Sequence, residues 1–268
     1  MNNNECVLDF GHGGTDPGAC SGSYKEKVWN KETGDACHQE LKRHNVVVHL
    51  TRKNDETLSI SQRCAIANKT NAKWFVSIHH NAGGGDRGEA IHSIYRGAGK
   101  DLADNIGNNL KQIGQTAIKV YDRKNGNTDY YGVIRGTNMH AVIVEVCFID
   151  NVEDRKIADT LEERKRNGVA IAHAILKTMG IAIKPTGGST SSSSHKYKNG
   201  NYDRKAKVVG TNSTGLNVRK GRGASFDKIG KFNEGQVIEV NYCKDNWFST
   251  WSYQGKEGYI SGDYIELI

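Results

Sequence analysis

Over the first 180 residues, short apolar runs alternate with longer stretches whose apolar residues recur at helical spacing. Glu5–Phe10 (ECVLDF), Val46–Leu50 (VVVHL), Trp74–Ile78 (WFVSI), Ala90–Tyr95 and Ala141–Phe148 (AVIVEVCF) are rich in β-branched or aromatic residues and read as strands. Between them, residues 26–43 set Val28, Trp29, Ala36, Cys37 and Leu41 roughly on one helical face, and residues 99–113 are helical too. Ser59 with Gln62 three residues on forms a capping-box pattern that opens a helix carrying Cys64, Ile66 and Ala67. A last helical region runs from about 153 to 179, with a break expected near Gly168. Alternating units of this kind predict a three-layer α/β domain with a largely parallel central sheet.

The pattern changes after residue 183. The stretch from Lys184 to Lys196 (KPTGGSTSSSSHK) has no apolar anchor to offset the entropy of ordering, so 183–203 is expected to be a flexible linker between 1–182 and 204–268. Beyond it, Lys207–Gly210, Leu216–Arg219, Gln236–Tyr242, Trp247–Trp251 and Glu257–Ile260 are strand-like and punctuated by Gly and Asn, which predicts a small all-β barrel or sandwich.

Composition narrows the class. With 36% hydrophobic and 25% charged residues, 31 Gly and 2 Pro in 268 residues, the chain is neither collagen-like, coiled-coil nor wholly disordered. No apolar run is long enough to span a membrane. The start, MNNNECVLDFGHGG, lacks a basic segment followed by an apolar one, so synthesis in the cytoplasm without a signal peptide is expected. Six scattered cysteines without a CxxC pair read as free thiols. Of the net charge of +7, residues 181–268 contribute +5 (13 Lys and Arg against 8 Asp and Glu). That tail suits an anionic polymer such as cell wall, teichoic acid or nucleic acid, although no RNP-like motif favours the last.

Four residues lie at or just beyond predicted strand ends, where ligand sites gather in open α/β sheets. His12 follows the first strand in Gly11-His-Gly-Gly, Glu26 starts the first helix, His79 ends WFVSIH, and Glu145 interrupts the most apolar strand. Two His and one Glu suit Zn²⁺ with one position left for water, and a second Glu outside that set would serve as proton acceptor. Other readings stand beside this one. The glycine-rich turn around His12 could cradle phosphate, Glu26 could simply favour a helix start, and His79 could be an internally bonded strand-end residue. Glu145 between Val144 and Val146 has the weakest structural explanation, because burying an unpaired carboxylate costs several kcal/mol.

VLDFGHGGTDPGA, then Glu26, then RCAIANKTNAKWFVSIHHNA and AVIVEVCFIDNVED, resemble the zinc-dependent N-acetylmuramoyl-L-alanine amidases of the amidase-3 type across residues 4–180. The resemblance implies that His12, Glu26 and His79 are zinc ligands and that Glu145 is the catalytic glutamate. It implies hydrolysis of the amide between N-acetylmuramic acid and L-alanine by a zinc-bound water. One departure is visible: the family usually has Pro-Ala before the strand of the catalytic Glu, and here His140-Ala141 stands there. His140 is therefore a candidate for approaching substrate or metal.

In the tail, GLNVRKG, IGKFNEGQVIEV, Asn246-Trp-Phe and GYISGDYI are similar, in that order, to bacterial SH3 domains, which bind peptidoglycan. Trp247 and Tyr259 are expected in the barrel core, and Trp251 and Tyr253 are candidates for facing a ligand. Together these readings imply a modular peptidoglycan hydrolase of phage-endolysin type, released to the wall with a partner holin and without stable membrane association. The rivals are a zinc peptidase acting on the stem peptide and a non-catalytic wall-binding protein; a bacterial mother-cell amidase would share the sequence features.

Overall fold

The computed structural model describes residues 1–184, 196–211, 215–223 and 226–268. The chain divides into two compact units, Met1–Lys184 and Pro185–Ile268. Residues 185–195, which hold most of the expected linker, lie outside the described residues, and the first strand of the second unit already begins at Gly200.

In the first unit the strands are β1 (Asn2–Phe10), β2 (Val47–Leu50), β3 (Ala72–Asn81), β4 (Gly88–His92), β5 (Ile118–Tyr121) and β6 (His140–Phe148). They form one sheet in the order β2-β1-β3-β6-β4-β5. All neighbours are parallel except β6 and β4. Helices α1 (Glu26–Arg43), α2 (Ile60–Asn68), α3 (Ala98–Gln112), α4 (Gly132–Gly136) and α5 (Leu161–Met179) complete the unit.

Strand alternation assigns the two faces of the sheet. Leu8 and Phe10, Trp74 and Val76, and Val142 and Val144 enter the larger core with Leu41 of α1, Leu102 of α3 and Ile171 of α5. Val7, Phe75, Ala141 and Ile143 enter a smaller cluster with Cys64 of α2 and Val133 of α4. By the same alternation Asp9, Ser77, His79 and Glu145 belong to this thinner face. Short helices cover it incompletely, and the chemistry lies in the gap.

Helix α1 matches the expected bounds, but Val28 is 44% exposed while Trp29, Cys37 and Leu41 are buried. The capping box at Ser59 and Gln62 is present. The break expected near Gly168 falls earlier: a short 3₁₀ turn (Asp154–Ile157) precedes Thr160, which opens α5 through its own capping box with Glu163. Gly168 serves packing instead. A methyl group there would stand 2.1 Å from the Thr33 carbonyl oxygen, so its absence lets α5 lie against α1. Strand β4 ends at His92 and leaves Tyr95 exposed in the following turn, and the four-residue β5 was too short to be anticipated. All six cysteines are free, and among the described residues no helix is long and apolar enough to cross a membrane.

The second unit is all β. Strands β7 (Gly200–Val208), β8 (Leu216–Arg219), β9 (Lys228–Phe232), β10 (Val237–Lys244), β11 (Trp247–Tyr253), β12 (Lys256–Ser261) and β13 (Ile265–Leu267) run in the order β9-β8-β12-β11-β10-β7-β13. Alternation reverses several expectations here. Phe248 and Ile260 fill the core, so their neighbours Trp247 and Tyr259 are only partly buried and stand outside it. Tyr253 packs edge-on against the buried Phe232, with ring centroids 5.8 Å apart, and so braces the core. Trp251, at 57% exposure, remains open to a ligand.

Candidate active site

The loop after β1 is held by two arginines. Arg52, fully buried, donates through Nε to the Phe10 carbonyl at 2.8 Å and through Nη2 to the Gly11 carbonyl at 3.2 Å. Arg63 of α2 donates to the carbonyls of Phe10 and His12, each at 2.8 Å, and pairs with Asp9 at 2.7 Å. Asp9 also accepts from the hydroxyls of Thr51 at 2.5 Å and Ser77 at 2.6 Å. Burial works against its charge, but Arg63 and these hydroxyls outweigh burial and keep the carboxyl below its ordinary range. The peptide carrying His12 is thereby fixed on the sheet, with His12 itself at φ 60°.

Glu26, the first residue of α1, aims its carboxylate into the same place. Its Oε2 accepts from the Ala19 amide at 2.8 Å and lies 3.1 Å from His12 Nε2. Its Oε1 lies 2.8 Å from His79 Nδ1 and accepts from Asn30 Nδ2 at 3.1 Å and the His80 amide at 3.2 Å. On the far side of its ring, His12 Nδ1 meets Asp16 Oδ2 at 2.8 Å. The two imidazoles stand edge to face with centroids 5.0 Å apart. Two glycines make room: a Cβ on Gly11 would fall 2.2 Å from the His79 ring. One on Gly18, which sits at φ +67°, would fall 2.5 Å from Glu26 Oε2.

One ligand atom from each of His12, Glu26 and His79 lies within 4.8 Å of the other two. Two imidazole nitrogens and a carboxylate oxygen suit zinc. The bonds from Asp16 to His12 and from Asn30 to Glu26 are the kind of outer contacts that orient metal ligands. The donors fit a divalent ion.

Glu145 lines a cavity of about 320 Å³ together with His12 and His79, and with Asp16, Leu58, Ile60 and Tyr131. Its Oε2 is shut off from solvent and has no hydrogen-bond partner among the described residues. Burial pushes its carboxyl up to about 7, against the nearby His79 charge. Burial opposes the charge on His79 too, but the bond to Glu26 and the charge of Glu145 raise its imidazole to about 9. Burial likewise opposes the Glu26 charge, yet the two imidazoles hold its carboxyl far below the usual range.

All four residues singled out in the sequence therefore meet at the strand ends. His140 does not join them. It pairs in register with Trp74 at the start of β6, five residues before Glu145, or about 16 Å along the strand, and its ring packs on Trp74 at 5.3 Å. It takes no part in this cavity. Asp16 and Asn30 were missed, although a weak signal existed: each lies four residues after a candidate ligand, Asn30 being one helical turn beyond Glu26.

The family model for N-acetylmuramoyl-L-alanine amidase matches residues 6–177, and that for the bacterial SH3 domain matches residues 214–266. Among curated relatives, the N-acetylmuramoyl-L-alanine amidase CwlM of Bacillus licheniformis is 34% identical over 187 residues, 66% of this chain and 72% of that protein. The endolysin of Bacillus phage SPP1 is 31% identical over 202 residues, 72% of each chain. Among solved structures, the catalytic domain of CwlV, N-acetylmuramoyl-L-alanine amidase from Bacillus (Paenibacillus) polymyxa var. colistinus, is 28% identical and superposes with a TM-score of 0.57 over 66% of this chain and 99% of that one. The chain belongs to the N-acetylmuramoyl-L-alanine amidase family and is a peptidoglycan amidase carrying a bacterial SH3 domain.

Proposed function

We propose that His12, Glu26 and His79 hold a zinc ion and that Glu145 moves the proton in hydrolysis of the amide between N-acetylmuramic acid and L-alanine. The observation that carries this is the gathering of the three donor atoms within 4.8 Å, with His12 and His79 lining the same cavity as Glu145, whose Oε2 has no partner among the described residues. A zinc ion held there supplies Lewis acidity toward the scissile carbonyl and lowers the pKa of a bound water from about 15.7 toward 7.

The chain's own residues do the rest. Asp16 and Asn30 keep His12 and Glu26 in ligand orientation. Glu145 accepts a proton from the attacking water as the new C–O bond forms. It then delivers that proton to the alanine nitrogen as the C–N bond breaks, since an amide anion is too basic to leave. Leu58 and Ile60 give the cavity wall an apolar surface beside these groups.

The SH3 unit holds the enzyme to the wall and raises its effective concentration there. Likeness to the phage SPP1 endolysin over 72% of each chain supports a lytic role in a phage, with a holin giving access to the wall.

Product analysis together with metal content tests the proposal. A new alanine amino terminus on an intact stem, from protein with one zinc, is the expected result. Cleavage within the stem would make the enzyme a peptidase, and purified walls left intact would make it a non-catalytic binder.

A further inference from the structure

Beside the active-site cavity, and sharing Ile60, Tyr131 and Gly132 with it, runs a second open groove of about 890 Å³ between α2 and α4. A polymeric substrate has to continue past the scissile bond in both directions, so a groove continuous with the cavity is where one side of it lies. The hydrogen-bonding capacity of the groove decides which side. Ser61 Oγ is engaged with Ser59, and the Asn68 amide is used at both ends, by the Gly136 carbonyl and the Asn138 amide. The Tyr131 hydroxyl meets that of Tyr121, so among the described residues the Tyr130 hydroxyl is the one neutral side-chain group of the groove left for sugar hydroxyls.

Arg135 is the charged exception. The carbonyls of Asp129 and Tyr130 grip its Nη1 at 2.6 and 2.9 Å, while among the described residues its Nε and Nη2 have no protein partner. A guanidinium fixed at one nitrogen and open along the Nε–Nη2 edge is preorganised to receive a carboxylate with two parallel hydrogen bonds. Among the described residues no acidic side chain lines the groove, and a second cation, Arg123, lies over the exposed Tyr130 ring with Cζ 3.7 Å from its centroid.

We propose that this groove is the subsite for the peptide side of the substrate, and that Arg135 selects peptides bearing a free carboxylate shortly after the alanine. The inference rests on the amidase reading above. It makes Arg135 a specificity-determining residue outside the reacting centre.

The test uses the full zinc-loaded chain and two soluble muramyl peptides that differ only in whether the residue after alanine carries a carboxylate or a carboxamide. The wild type is expected to favour the carboxylate form. Arg135→Gln and Arg135→Lys should raise KM for that form about ten-fold or more, the usual scale for a lost charge-assisted pair, with kcat little changed. Both variants should leave the carboxamide form almost unaffected. Calorimetric binding of the released carboxylate peptide should weaken in parallel. Equal losses on both substrates would show that Arg135 only braces α4, and equal use of both by the wild type would show that the groove reads no carboxylate. Losses that track the number of sugars would assign the groove to the glycan. Each of these overturns the proposal while leaving the amidase reading intact; failure to cleave either muramyl peptide would overturn both.

Discussion

Glu145 stands beside His79 in the sheet: the two are register partners on the adjacent parallel strands β6 and β3, two or three residues before the carboxyl ends of those strands. In a pleated sheet, register partners project from the same face, so a metal-ligand candidate and a proton-carrier candidate share one cavity without any long-range adjustment. The larger core fills the opposite face with Val76, Ile78, Val142 and Val144 and holds this pair in place from behind.

The pKa of His79 predicts how metal and protons compete. In the metal-free fold its imidazole is raised to about 9, above the ordinary 6.5. A raised imidazole contributes stability that is fully present below 6.5 and is lost as pH rises through 9. A metal needs the deprotonated ring. The Tm gained on adding zinc should therefore widen between pH 6.5 and 9, and calorimetry in buffers of different ionisation enthalpy should detect proton release near neutral pH. A zinc-induced gain that shrinks over this range would mean that His79 is not a ligand.

Asp16 and its bond to His12 Nδ1 give a prediction free of changes at the ligands themselves. Asp16→Asn should weaken zinc affinity by about 10–100-fold, the usual effect of losing such an orienting carboxylate, with the fold intact. Competition against a chelator of known affinity measures it.

Two glycine substitutions separate site damage from fold damage. In Gly11→Ala the new methyl meets the His79 ring, so metal content should fall while Tm changes little. In Gly168→Ala the methyl meets the Thr33 carbonyl oxygen between α1 and α5. Stability should drop by about 1–3 kcal/mol with zinc still bound in the folded fraction, as denaturant titration would show.

Much of this was legible because apolar runs and strand ends are local features. Glu145 stood out as a charge inside AVIVEVCF, and the site residues followed from where strands stop. What stayed hidden depended on partners distant in sequence. Gly168 reads locally as a helix breaker, and only α1 lying across it shows that the missing side chain is needed for contact. His140 reads as a candidate by its departure from the family pattern, yet it lies at the wrong end of the strand. In the tail, Trp247 and Phe248 are adjacent large aromatics, and one step of register decides which is buried.

Residues 1–184 form a compact unit with its own core. A protein ending at Lys184 should keep its zinc and cleave soluble muramyl peptides at a rate close to that of the full chain. Its activity on intact cells should fall further, through loss of the SH3 unit. Zinc analysis and parallel assays on fragments and cells check this, and loss of metal on truncation would contradict it.

The central claim is that Glu26 belongs to the metal and Glu145 to the proton. Zinc stoichiometry measured beside turnover for Glu145→Gln and Glu26→Gln tests it most directly. Glu145→Gln should keep one zinc and its stability, since a carboxylate with an unpartnered oxygen becomes neutral, while turnover falls by about 10²–10⁴-fold. Glu26→Gln should lose zinc and activity together. Retention of zinc by Glu26→Gln with its loss from Glu145→Gln would contradict the account by exchanging the roles of the two glutamates.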